Sequence, residues 1–208
     1  MDTRENLAHW QASVVGFFRE LSRIMAVVEQ QMRDDSFVPI GDSAVFQDAS
    51  TAFDRSSRWL PRYLARAYVK GKKPNRAVGY CIHLGPYSDP ATVAYLNKSR
   101  LDLPFVSLAC LRDMQPGPLE VDRRQVWDRL WDSGWWATYE DHVSGPLRIY
   151  HTTREISGFQ ATIAGTLLDL FPLEEPADVA QRIVAPLLLL HESRDAELQQ
   201  LPQLLIRP

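Results

Sequence analysis

Apolar residues recur at alternating spacings of three and four near the start of the chain, and this pattern predicts one long helix. The repeating positions are Leu7, Trp10, Val14, Phe17, Leu21, Ile24 and Val28. Asp2 or Thr3 can cap the start, and Glu5 follows Asp2 by three residues, as in a capping box. The predicted helix runs from about residue 4 to 33 and would be roughly 45 Å long.

This apolar seam has two interpretations. Phe18, Met25 and Met32 each lie four residues beyond a seam position, so the apolar stripe is wider than a two-stranded coiled coil needs. That breadth favours packing of the helix within its own domain. A homo-oligomer that pairs residues 7–32 of two copies is the alternative.

The stretch from Trp59 to Leu84 predicts a β-hairpin. A helix over 59–70 is the alternative, because several basic residues are spaced four apart, but Pro61 disfavours a helix that runs through it. Residues 70–75 suit a turn, and the run that follows is rich in β-forming residues. Side chains of a strand alternate between its two faces, which divides the first strand into an inner and an outer set. The predicted outer set is Arg62, Leu64, Arg66, Tyr68 and Lys70.

The remaining pattern predicts an α+β fold. A long N-terminal amphipathic helix would pack on a mainly antiparallel, or mixed, sheet, and further helices would end the chain. We expect a single domain over 1–208, with the long helix at 4–33, a sheet-containing core at 59–153 and C-terminal helices at 157–192. Within these regions the pattern predicts strands at 104–111 and 147–153 and helices at 123–132, 157–170 and 177–191.

Composition places the chain among ordinary globular proteins. It has 208 residues, of which 45% are hydrophobic and 24% are charged. No apolar run approaches the roughly 20 residues that cross a bilayer, so no membrane association is expected. The acidic N-terminal sequence does not resemble a signal peptide, and the two cysteines are too few for a disulfide framework. A cytoplasmic location is the resulting expectation.

Charge is distributed unevenly along the chain. The net charge is −3, yet the stretch from Arg55 to Ser88 holds eight Lys and Arg residues and no Asp or Glu. Solvated protein surfaces generally mix both signs of charge, so an acid-free block is a candidate anion-binding site. Lysine-rich edge strands that resist aggregation offer the alternative explanation.

The predicted hairpin would gather part of this block on one face. Arginine and lysine neutralise phosphates, and an aromatic ring among them can stack on a base. The candidate anion-binding residues are Arg62, Arg66, Tyr68, Lys70, Lys72, Lys73 and Arg76.

Four of the six tryptophans form a second candidate site. Trp127 and Trp131 are four residues apart and share one face of the predicted helix, and Trp135 and Trp136 follow shortly after. Tryptophan can anchor a partner interface, although core and domain-edge packing is the more common explanation for such a cluster.

A third set of residues could in principle support hydrolysis. Its members are His83, Glu140, Asp141, His142 and His151. Their spacing matches no zinc motif, so no metal and no cofactor are expected.

These observations lead to three hypotheses. The first is a non-enzymatic cytoplasmic binding or regulatory protein whose basic hairpin engages an anionic partner, either a nucleic acid or an acidic protein surface. The second is a structural oligomer or complex subunit that assembles through the heptad helix and the tryptophan cluster. The third, a hydrolase or nuclease, requires the histidines and carboxylates named above to converge.

Overall fold

The long N-terminal helix is present. The computed structural model describes residues 3–41, 46–47, 61–71, 75–85, 104–131, 147–152, 158–170, 173 and 175–201. Helix α1 spans Thr3–Asp34, which confirms the prediction from the apolar spacing. Ser36 follows in the left-handed region, with φ of 66°, and turns the chain into the first strand.

Seven strands of the described ranges form one sheet that is antiparallel at every described pairing. Their bounds are β1 Phe37–Pro39, β2 Phe46–Gln47, β3 Tyr63–Lys70, β4 Ala77–His83, β5 Phe105–Gln115, β6 Arg148–His151 and β7 Gln160–Asp169. The strand order is β1-β3-β4-β5-β7-β6, and β2 also pairs with β3. The hairpin of β3 and β4 confirms the preference for a strand over a helix at 63–70.

The helices after β5 complete the α+β fold. Helix α2 spans Arg123–Trp131, as the sequence predicts. The C-terminal helical segment comprises α3 (Pro176–Val179), a π-helical turn (Ala180–Val184) and α4 (Ala185–Glu192), and α5 (Asp195–Leu198) follows. The π-helical turn ends two residues before Pro186, where a regular helix would need a backbone donor that proline lacks. No helix in the described ranges combines the length and the apolarity needed to cross a membrane.

Both faces of the sheet are covered. We call one the helix face: it packs on α1 and the C-terminal helices and includes Leu64, Tyr68 and Tyr80. The other, the tryptophan face, packs on α2 and includes Ala65 and Ala67. The predicted solvent-exposed outer face of β3 is therefore wrong, because its middle residues lie beneath α1.

The predicted helix at 157–170 is also wrong, since this stretch is strand β7 between β5 and β6. Seven of the ten residues of β7 are buried, because the strand has a helix layer on each side. A strand buried on both faces lacks the polar–apolar alternation that identifies a half-exposed strand, and its apolar run resembles a helix.

Candidate functional site

The predicted anion-binding face is largely occupied by contacts within the protein. Arg66 binds the carboxylate of Glu29 on α1 through two nitrogens, with Nε–Oε2 and Nη2–Oε1 distances of 3.1 and 3.2 Å. The Tyr68 hydroxyl donates to the same carboxylate at 3.0 Å. Arg66 is almost fully buried and Tyr68 is fully buried. Neither side chain is presented to a ligand at the surface, so the predicted stacking role of Tyr68 is wrong.

Glu29 joins helix α1 to strand β3. Its carboxylate also accepts two hydrogen bonds from Arg33, one turn further along α1. Burial by itself would raise the pKa of Glu29, but the hydrogen bonds from Arg66, Tyr68 and Arg33 and the charge of Arg66 outweigh it and lower the pKa. For Tyr68, burial first and then the neighbouring Tyr80 and Glu29 raise the pKa of the hydroxyl, which keeps it a neutral donor.

Two further basic residues of the predicted site have different roles. Arg76 donates to the His191 carbonyl at the end of α4 and to the Ser193 hydroxyl, at 3.0 Å in the latter case. A cation at a helix C-terminus is favourable, because it meets the exposed carbonyls and the negative end of the helix dipole. Lys70 is exposed, and its ammonium lies 5.0 Å above the ring of Phe37.

The remaining residues of the predicted anion-binding set are either half-buried or outside the described residues. Arg62 is half-buried beside the end of β4, where its carbonyl accepts the backbone N–H groups of Leu84 and Gly85. Lys72 and Lys73 lie outside the described residues. Of the seven predicted residues, only Lys70 is described as exposed.

A second buried arginine anchors the C-terminal helices to the helix face. Arg112 on β5 makes a bidentate contact with Asp195, at 2.6 and 2.9 Å, and donates twice to the Leu190 carbonyl. Burial by itself would lower the pKa of Arg112, but the hydrogen bond and the charge of Asp195 help to outweigh it and the pKa is raised. Arg66 thus connects α1 to β3, and Arg112 connects the C-terminal helices to β5.

The described tryptophans pack inward. Trp127 and Trp131 are both buried on the tryptophan face. A Cβ added at Gly79 would come within 3.0 Å of Trp131, and one at Gly41 within 2.7 Å of Trp127. The tryptophan face of the sheet carries small residues, glycine and alanine, and the two indoles pack against them. The predicted partner interface is therefore wrong for these two residues, and Trp135 and Trp136 lie outside the described residues.

The two described residues of the predicted hydrolase set do not converge. His83 is buried at the end of β4, with its Nε2 2.7 Å from the Ser107 hydroxyl and its ring stacked on Phe105. Burial lowers the pKa of His83 to about 3, so its imidazole is neutral near pH 7. His151 is exposed and pairs with Thr162, seven residues along β7 from the partner of Phe105, a distance of roughly 23 Å. Glu140, Asp141 and His142 lie outside the described residues.

Most of the large apolar side chains that are described as exposed lie on helix α1. On its C-terminal half, Leu21 and Val28 are 2% and 0% exposed and belong to the core. On its N-terminal half, Leu7 and Trp10 are 63% and 57% exposed, although they belong to the same heptad seam. Four of the six large apolar side chains described as exposed lie on this half: Leu7, Trp10, Val15 and Phe17.

A cavity of about 330 Å³ marks the point where the seam passes from exposed to buried. Its apolar walls come from α1 and from the segment after β7, and the ion pair of Glu20 and Arg23, at 2.9 Å, borders it. The apolar lining residues are Phe17, Leu21, Ile24, Leu170 and Leu173. The exposed seam therefore ends in a recess of the same apolar character.

Sequence reasoning missed Glu29 and Asp195 as partners of the buried arginines. A signal for Glu29 existed, because it directly follows the seam residue Val28 and so borders the face of α1 that packs inward. No signal identified Asp195, because its pairing with Arg112 depends on the tertiary fold.

Within the described ranges, no group of three or more His, Cys, Asp and Glu side chains is placed to hold a metal ion. Comparison with protein-family models, curated proteins and solved structures finds no match for this chain.

Proposed function

We propose that this protein is a structural subunit that self-assembles through the N-terminal half of helix α1. The supporting observation is the contrast within one seam: Leu21 and Val28 form core contacts, whereas Leu7 and Trp10 face solvent. Contiguous exposed apolar surface on a folded protein typically marks an interaction site. Tryptophan at its centre is the residue type that most often dominates binding energy.

Charge on α1 is arranged to suit this role. Between residues 5 and 20 the charged side chains are Glu5, Arg19 and Glu20, and none of them occupies a seam position. A seam without charge can be desolvated with little penalty, while the charged residues keep the outer side of the helix hydrated.

The test is the size of the protein in solution as a function of concentration. Sedimentation velocity should show the wild type shifting from the 23.8 kDa monomer to a larger species as concentration rises. Trp10→Lys should remain monomeric, because it places a charge in the seam. Ala12→Lys is the matched control, since Ala12 is exposed on the opposite side of the same helix, and it should behave as the wild type. A wild type that stays monomeric up to high concentration would overturn the proposal.

A second candidate function is binding of an anionic partner, such as a nucleic acid or an acidic protein surface, at the turn between β3 and β4. It is favoured by Lys70, which is exposed beside the acid-free turn sequence and forms no ion pair with a described carboxylate. Lys72→Ala/Lys73→Ala should then weaken binding to a single-stranded oligonucleotide, and wild-type affinity should fall steeply with salt. Affinity that does not change with salt would exclude this function.

The two free, buried cysteines are compatible with the cytoplasm as the place of assembly.

A further inference from the structure

The exposed half of α1 has a geometry that selects its partner. We infer that two copies of this chain pair antiparallel through residues 3–21, with Leu7 level with Phe17 of the partner subunit and Trp10 level with Val14 of the partner subunit. This inference rests on the proposed self-assembly and adds the number of copies, their direction and their register.

Direction follows from where the rest of the protein lies. From Leu21 onward, the seam side of α1 is covered by the protein's own sheet and C-terminal helices. In a parallel pair, the two copies would place these bulky layers at the same level and on the same side, where they would collide. In an antiparallel pair, the two folded bodies lie at opposite ends of the joined helices, so both seams are accessible.

Register follows from the length of the exposed half. Helix α1 begins at Thr3, and its buried half begins at Leu21. When Leu7 is level with Phe17 of the partner subunit, Thr3 is level with Leu21 of the partner subunit. Each helix therefore starts where the other enters its folded body, and the whole exposed seam is covered without a clash.

The same register matches large side chains with smaller ones. In an antiparallel coiled coil, a residue at heptad position a lies level with one at position d of the other helix. Leu7 and Val14 occupy position a, and Trp10 and Phe17 occupy position d, so each aromatic ring lies opposite an aliphatic side chain. Alternation of this kind lets side chains interdigitate at core density.

The flanks of the seam carry no like charges that would face each other. Gln11 and Ser13 border the twofold axis, and each lies beside its own copy. Asn6 lies beside Glu20 of the partner subunit. The cavity bordered by Phe17 and Leu21 adjoins the level of Leu7 of the partner subunit, which is the apolar side chain available to cover it.

Cross-linking of flanking positions tests this arrangement without altering the seam. Asn6→Cys and Glu20→Cys proteins are prepared separately, then mixed and treated with a short bis-maleimide. In the inferred pair, positions 6 and 20 of different copies are neighbours, whereas two copies of position 6 lie roughly 18 Å apart along the axis. Cys81 and Cys110 are buried, so the native thiols do not compete. Ala12→Cys is the control, because position 12 faces away from the partner.

We expect a cross-linked dimer in the mixture and little cross-linking of any single variant with itself. Efficient self-linking of Asn6→Cys would indicate a parallel pair and overturn the inference. Absence of cross-links in a mixture that sedimentation shows to be assembled would overturn the register while leaving self-assembly intact. A strict monomer would overturn both. Within the inferred pair, Trp10→Lys should raise the dissociation constant at least about 30-fold.

Discussion

Leu7 and Leu21 are both leucines at the same heptad position of helix α1, yet their environments are opposite. Leu21 is 2% exposed beneath the C-terminal helices, and Leu7 is 63% exposed. The periodicity of a sequence states which side of a helix will be buried. It does not state whether the covering surface comes from the same chain or from another one.

The polar contacts of the two halves differ in the same way. The buried half is held by Glu29, which receives five hydrogen bonds from Arg66, Tyr68 and Arg33. On the exposed half, the Ser13 hydroxyl donates to the His9 carbonyl one turn earlier on the same helix, which is a local contact. Contacts within the domain therefore hold the buried half, and the exposed half is the surface that we propose for assembly.

The largest expected effect comes from removing the carboxylate that fastens the buried half. Glu29→Ala removes the carboxylate that pairs with the buried guanidinium of Arg66, and losing one partner of a buried pair costs about 3–5 kcal/mol. Chemical denaturation monitored by circular dichroism measures this loss. Glu20→Ala removes an exposed carboxylate from the same helix and should change the free energy of unfolding by less than about 0.5 kcal/mol. Equal effects of the two substitutions would contradict the role of Glu29.

The two leucines give the sharpest matched pair. Leu21→Ala removes core packing and should lower the free energy of unfolding by about 2–5 kcal/mol. Leu7→Ala should lower it by less than about 0.5 kcal/mol when both are measured in the Trp10→Lys background, where assembly does not contribute. In the native background, Leu7→Ala should weaken assembly. A large loss of monomer stability for Leu7→Ala would show that the protein's own chain covers the exposed half.

Acid should destabilise the sheet through His83, whose ring stacks on Phe105 on the tryptophan face, opposite to the face that packs on α1. The pKa of buried His83 is about 3, whereas the pKa of a histidine in the unfolded chain is about 6.5. Between these two pH values the unfolded state therefore binds a proton that the folded state does not. Above pH 6.5, His83 does not reduce the free energy of unfolding. Below pH 6.5, the free energy of unfolding should fall by about 1.4 kcal/mol for each pH unit until about pH 3. Denaturation curves across this range measure the slope. His83→Gln should reduce the slope, and an unchanged slope would remove His83 as its cause.

The smallest expected effect is that of salt on assembly. The exposed seam is apolar, so raising the salt concentration should leave the dissociation constant of the assembly nearly unchanged. Sedimentation at low and high salt provides the measurement. A steep loss of assembly with salt would indicate that charged residues, not the seam, hold the copies together.

Much of the fold could be predicted from the sequence, because α1, β3, β4 and α2 carry strong local patterns. Strand β7 could not, since the layers on both of its sides remove the alternation that would identify it. The same double coverage explains the failure for Arg66 and Tyr68. Arg66 and Tyr68 alternate with apolar residues along β3, so the sequence predicts that they are exposed to solvent. Their contacts with Glu29 arise only in the tertiary fold.

For a related reason, the sequence predicts the seam of the candidate site but not where its exposed part ends. The seam and its pairing alternative follow from spacing alone, but the boundary at Leu21 depends on where the sheet and C-terminal helices meet α1. That boundary divides one continuous pattern into a core segment and an exposed apolar segment, which is the proposed assembly surface.

Hydrogen exchange along α1, measured at low and high protein concentration, tests the difference between its halves most directly. Amides of residues 21–34 should exchange slowly at both concentrations. Amides of residues 5–20 should exchange rapidly when the protein is dilute and slowly when it is concentrated. Rapid exchange of residues 5–20 at every concentration, or equally slow exchange in the dilute protein, would contradict assembly through this half of the helix.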